Sequence, residues 1–115
     1  MWKRTIVYIS GKITGNDNYK SEFQEAENFL TELGYIVINP AEIDEIVKCS
    51  ELDRAEIMSI CYRLVEISDA IFMIGGWQKS RGANEELSYA RSLGKKVMYQ
   101  NYYYPFRKEK KDENC

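Results

Sequence analysis

The chain has 115 residues, 44% of them apolar, with 16 basic and 18 acidic side chains and a formal net charge of −2. That length and apolar share suit one domain with its own core, and the near-neutral balance lacks the basic footprint of a nucleic-acid-polymer binder. The absence of histidine removes His-based metal sites, Ser–His–Asp triads and imidazole acid–base chemistry.

Three cysteines, Cys49, Cys61 and Cys115, form no CxxC pair, and so sparse and odd a count fits a reducing, cytoplasmic setting. No signal peptide or membrane-length apolar run is visible, so no membrane partner is expected. From Glu22 to Glu56 there are ten carboxylates and two basic residues, the mark of a solvated face. Enzymatic chemistry here would fall to carboxylates, supported by tyrosine, serine and backbone amides, with no cofactor or metal expected.

Thr5 to Ile9 is a β-branched run without polar alternation, as in a strand buried on both faces. The SGKITGNDN segment after it is rich in turn residues. Gly11 and Gly15 permit unusual backbone conformations, and Asn16, Asp17 and Asn18 are candidate turn or helix-cap residues. Tyr19, Phe23, Ala26, Leu30 and Leu33 form one apolar stripe, which predicts a helix over residues 19–33 ended by Gly34.

Tyr35 to Ile38 predicts a second strand. Asn39-Pro40 then opens a short helical turn through Val47, with Pro40 at the first helical position. Ser50 and Asp53 resemble a capping box for the next helix, whose apolar face reads Ile57, Ile60, Cys61, Leu64 and Ile67. Asp69 leads into a third strand, AIFMI, and Lys96 to Tyr99 gives a fourth. Tyr102 to Phe106 reads as a segment packed on the body or on a partner subunit. The domain is placed at residues 1–106 and a charged tail at 107–115.

Strands separated by helix-sized segments require parallel crossovers. The predicted fold is therefore α/β, a Rossmann-like or flavodoxin-like three-layer sandwich around a parallel four-stranded sheet of order 2-1-3-4. In that order the loops after the first and third strands flank one crevice at the carboxyl edge.

The first loop, SGKITG, is neither a GxGxxG nor a Walker sequence. It offers small residues and free amides before a helix, which suits an anion, and a plain strand-to-helix turn explains it equally. In the second loop, GGWQKSRGA, Ser80 and Arg81 suit a phosphate and Gly82 allows close backbone approach. Trp77 could stack on a base or cover the core edge.

In the following helix, Ala83, Leu87, Ala90 and Gly94 share a narrow arc. Glu86 lies about 60° from its centre, on the packed margin, and Glu85 points the other way, towards water. A first-turn carboxylate on the packed side is held ionised by the helix dipole, as a nucleophile requires. First-turn acids also occur for the dipole alone, and both readings stay open.

Ser80 to Ala90 (SRGANEELSYA), followed by Leu93-Gly94-Lys95, resembles the signature of the nucleoside 2-deoxyribosyltransferase superfamily. Tyr8 to Gly15, Asn39-Pro40 and Trp77 to Ala83 extend the likeness over roughly residues 5–100, most closely to a small phage and prophage branch. The resemblance implies cleavage of an N-glycosidic bond in a nucleoside or nucleotide. Glu86 matches the family's nucleophile, which forms a covalent intermediate.

Tyr8 matches an aromatic residue near the substrate. The first loop, with Gly11, Lys12, Ile13 and Gly15, lies near the sugar and its 5′ end. Transferases carry an aspartate where this chain has Ser80, and the deoxynucleoside 5′-monophosphate N-hydrolases a phosphate-binding serine. The resemblance therefore favours a 5′-phosphorylated ligand, and it also implies a homo-oligomer, since family enzymes are usually oligomers whose neighbouring chains complete the pocket. Cys61 departs from the pattern, because family members have an aspartate there that helps protonate the leaving base. A non-catalytic nucleotide-binding protein is the alternative expectation.

Overall fold

A computed structural model describes residues 4–43 and 51–103. The expected end of the second helical segment at Val47, the Tyr102–Phe106 packing surface beyond Tyr103 and the 107–115 tail lie outside the described residues.

The strands are β1 (Ile6–Ser10), β2 (Ile36–Ile38), β3 (Ala70–Met73) and β4 (Lys96–Tyr99). All pair in parallel, in the order β2-β1-β3-β4, as the strand spacing predicts. The register sets Tyr8 beside Ile38 and Ile71, and Ser10 beside Met73. Asp69 sits at the opposite, amino edge, where its carboxylate accepts from the Ile6 N–H at 2.9 Å. It anchors the start of the central strands and is remote from the carboxyl-edge crevice.

The helices are α1 (Tyr19–Glu32), α2 (Arg54–Ile67), α3 (Arg81–Ser92) and the short α4 (Gln100–Tyr103). A 3-10 turn spans Trp77–Lys79. Helical residues 40–43 begin at Pro40, and Asn39 caps them by accepting from the Ala41 N–H at 3.0 Å.

The alternating side chains of β1 explain the layers. Val7 and Ile9 face α1, packing with Phe23, Ala26, Leu30 and Phe72. Tyr8 faces the other way, into a second core with Ile71, Met73, Leu87 and Ala90 beneath α2 and α3. Completely buried strands such as Ala70–Met73 follow from having helices on both faces.

Two sequence expectations change in α2. Its cap is Asp53, not Ser50: Asp53 accepts from the Glu56 N–H at 2.8 Å, and Glu56 accepts from the Asp53 N–H at 2.9 Å. The capping box therefore begins three residues later, with the usual glutamate partner. The fully buried residue of the helix is Val65, while Ile60 and Ile67 are exposed at 37% and 47%. Only the carboxyl-terminal turns of α2 press on the sheet; the earlier apolar side chains Ile57, Met58, Ile60 and Cys61 line a cavity.

Candidate functional site

The cavity lies at the carboxyl edge of β1, between the β1–α1 loop and the amino-terminal ends of α2 and α3, and measures about 620 Å³. That volume falls within the range of small-molecule sites. Lys12, Arg54, Lys79 and Arg81 reach it, and Glu86 is the one carboxylate among the described residues lining it.

Glu86 is 7% exposed and lies in the second turn of α3, which starts at Arg81, not in the first turn as expected. The helical phase places it as expected: Ala83, Leu87 and Ala90 are buried beside it. Two hydroxyls from β1 meet its carboxylate. Tyr8 donates to Oε2 at 2.9 Å and Ser10 donates to Oε1 at 2.6 Å. Tyr8 and Ser10 are two apart on a strand and so share a face, which is how one strand presents two donors to one carboxylate. The Cys61 thiol is within hydrogen-bonding reach of both Glu86 and Tyr8.

Burial raises the Glu86 pKa above the ordinary carboxylate value. Hydrogen bonds from Ser10, Tyr8 and Cys61 oppose that rise, and the nearby Glu85 charge adds to it. The expectation that the helix dipole holds this group more readily ionised than usual is thus corrected: desolvation outweighs the donors. The Tyr8 hydroxyl is pushed well above its ordinary value, first by burial and then by the Glu86 charge. It therefore stays a proton-bearing donor at neutral pH.

Ser80 is the N-cap of α3, its Oγ accepting from the Ala83 N–H at 3.1 Å. Ser80 also lines the cavity, and its hydroxyl keeps a proton that it can donate. The Arg81 and Gly82 amides, in the first turn, have no intrahelical acceptor. A cap hydroxyl, two amides and a guanidinium at one helix start form a setting for an anion.

A Cβ added at Gly82 would meet only Met58 Sδ at 3.9 Å and Ser80 Oγ at 4.0 Å. Packing within the protein does not demand this glycine. Gly11 differs, since its Cβ would come to 3.0 Å from Ile74 Cβ and 3.3 Å from Phe23 Cε1. Close packing alone accounts for Gly11.

Tyr8, Gly11, Lys12, Ile13, Ser80, Arg81, Gly82 and Glu86 all line the cavity. Two further expected site residues do not. Gly15 lies in a turn with φ +75°, past the cavity wall, held by Asn16, which donates to the Lys12 carbonyl at 2.8 Å and to Glu22 at 2.9 Å. Trp77, drawn aside by the 3-10 turn, stacks near Tyr99 with ring centroids 6.0 Å apart. It borders a separate cavity of about 400 Å³. Of the two readings of Trp77, covering the core edge is the one that matches this position.

Sequence reasoning missed Ser10, Arg54, Ile57, Met58 and Lys79. Ser10 was legible in the Tyr-x-Ser spacing of β1; Arg54 was not, because it enters from another helix. Glu85 also differs from expectation. It does not simply face water but accepts from Arg54 Nη2 at 2.9 Å and from Arg81 Nε at 3.2 Å.

A family model described as Domain of unknown function (DUF4406) matches residues 5–99. The chain belongs to this family. The DUF4406 match spans β1 to β4 and so includes every described element of the cavity wall. No curated protein matches the chain. Among the described residues of this DUF4406 chain, no group of His, Cys, Asp and Glu is arranged to hold a metal ion. Among them, too, no helix is long and apolar enough to cross a membrane.

Proposed function

We propose that this DUF4406 protein cleaves the N-glycosidic bond of a nucleoside 5′-monophosphate through Glu86. The observation that carries the reading is one buried carboxylate, held by Tyr8 and Ser10, at the wall of a cavity whose other described charged residues are cations. The resemblance of Ser80 to Ala90 to the nucleoside 2-deoxyribosyltransferase signature supports it.

In the proposed reaction a Glu86 carboxylate oxygen attacks the anomeric carbon. The carbon–nitrogen bond breaks, and its electron pair leaves with the base, which takes a proton from water in the open cavity. A second water then attacks the same carbon and gives a proton to the hydroxide left by the first, the glycosyl–Glu86 ester breaks, and the carboxylate is restored. Oxocarbenium character in both transition states is met by the Glu86 charge.

Tyr8 and Ser10 fix the carboxylate's rotamer and leave lone pairs on each oxygen for attack. The α3 amino terminus, with Ser80 and Arg81, would hold the 5′-phosphate, and the apolar Ile57–Met58 side would border the sugar or base. Incubation with deoxynucleoside monophosphates should release free base, and Glu86→Gln should abolish release while leaving the fold intact. Equal release by the variant would refute the proposal.

One observation favours a second reading, a protein that binds the nucleotide without turning it over. Cys61 stands where the resemblance puts a proton-donating aspartate, and no second carboxylate is among the described lining residues. A thiol is a weak replacement for that acid. Tight binding with the nucleotide recovered intact would support this second reading over the first.

A further inference from the structure

The cavity mouth holds an arrangement of which the proposed reaction uses only Arg81. Arg54 is the first residue of α2 and Arg81 the first of α3. Their guanidiniums converge on one carboxylate: Glu85 Oε1 takes Arg54 at 2.9 Å and Oε2 takes Arg81 at 3.2 Å. Both arginines line the cavity. Their side chains are 47% and 76% exposed. Ion pairs this open to solvent contribute little to stability.

Two cations focused on one internal anion, beside the uncapped amides of a helix start, have the layout of an occupied anion site. A carboxylate is a poorer occupant than a phosphate group. It carries one charge, whereas a phosphate monoester carries nearly two and three acceptor oxygens. The two guanidiniums lie within reach of a single carboxylate's oxygens, so they are already spaced to grip a group of similar width.

We propose that Glu85 is a built-in placeholder for a phosphate group, bridging Arg54 and Arg81 until a phosphorylated ligand displaces it and takes over both guanidiniums. The inference rests on the reading of the cavity as a site for a phosphorylated ligand, and it assigns Arg54, from a different helix, to that ligand's phosphate. Displacement also releases Glu85 from Arg54, so occupancy frees an α2–α3 tether at the cavity mouth. Glu85 acts as a gate on affinity: a neutral nucleoside leaves the bridge in place, and a phosphate opens it.

Inorganic phosphate is the probe, titrated calorimetrically at low ionic strength and fixed pH. Glu85→Gln should bind it about tenfold more tightly than the wild type, since it loses a competing charge-assisted contact. Arg54→Gln placed in the Glu85→Gln background should cancel that gain, and Arg81→Gln should do the same. Glu32→Gln, an exposed change at the end of α1, should leave affinity unaltered; thermal unfolding confirms that each variant is folded.

Unchanged, weaker or undetectable phosphate binding by Glu85→Gln would overturn the inference. So would a gain that survives Arg54→Gln, or an equal gain in Glu32→Gln, because either would reflect net charge alone. Base release is read separately. A protein that shows this order of phosphate affinities but releases no base refutes the catalytic reading alone. One that releases base through Glu86 but binds phosphate equally with and without Glu85 refutes only the placeholder.

Discussion

Ser10→Ala removes one hydroxyl from a buried carboxylate and almost nothing else. Ser10 is 1% exposed and its Oγ lies 2.6 Å from Glu86 Oε1. The deleted atom is a single oxygen, so the cavity contribution is minor and the lost hydrogen bond dominates. A hydrogen bond to a charged group contributes about 1.5–3 kcal/mol, and a neutral one about 1 kcal/mol. Tyr8 still donates to the other oxygen, so a loss of about 2 kcal/mol is expected where Glu86 is ionised.

The pH dependence gives the sharper test. The Ser10 hydrogen bond lowers the Glu86 pKa against the larger effect of burial. Removing it raises the folded-state pKa further. The folded variant then binds a proton more tightly than folded wild type. Its stability relative to wild type therefore falls as pH rises through the wild-type and then the variant folded pKa. Urea unfolding of both proteins at pH 8 and near pH 4 measures the difference. A deficit of about 2 kcal/mol at the higher pH, shrinking to about 1 kcal/mol at the lower, is predicted. An equal deficit at both would show that Ser10 acts through packing and not through the carboxylate.

The remaining predictions concern the cavity and its neighbours. Glu86 is the proposed nucleophile and its pKa is raised by burial, so base release should fall on acidification along a limb lying above the ordinary carboxylate value. Ser10→Ala should move that limb to higher pH; a pH–rate profile checks both. Gly82→Ala should stabilise the unliganded protein by about 0.5–1 kcal/mol through helix propensity, as its Cβ meets nothing closer than 3.9 Å. It should also weaken nucleotide binding, because the added methyl enters the space beside the α3 amides. Paired thermal and binding titrations would show both effects. Trp77→Ala should destabilise the fold by about 1–3 kcal/mol and leave nucleotide affinity within twofold of wild type (about 0.4 kcal/mol), since Trp77 packs near Tyr99 outside the cavity. A large affinity loss in a folded Trp77→Ala protein would contradict that placement.

The fold was legible because its signals are local and repeated. Apolar runs marked β1, β3 and β4, the stripe from Tyr19 to Leu33 marked α1, although Leu33 is its C-cap and is 55% exposed, and crossover rules then ordered the sheet. Glu86 was legible from helical phase, because Ala83, Leu87 and Ala90 left it one packed margin. The errors arose where an apolar side chain lined something other than the core. In α2, the stripe from Ile57 to Ile67 reads as one buried face, yet its amino-terminal half borders the cavity and only Val65 is fully buried. Trp77 was ambiguous because sequence does not reveal which side of a 3-10 turn its ring takes. The Arg54–Glu85 contact, between residues 31 apart, depends on how α2 lies over α3, and no pattern within either helix encodes it.

Covalent chemistry at Glu86 can be observed directly. Incubating the protein with a deoxynucleoside monophosphate, quenching with acid during turnover and mapping the peptides by mass spectrometry would find the sugar phosphate if an intermediate accumulates. The account predicts a deoxyribosyl-phosphate adduct on the peptide carrying Glu86, absent from Glu86→Gln along with base release. Free base produced at wild-type rate by Glu86→Gln, or an adduct mapping to a different side chain, would contradict it.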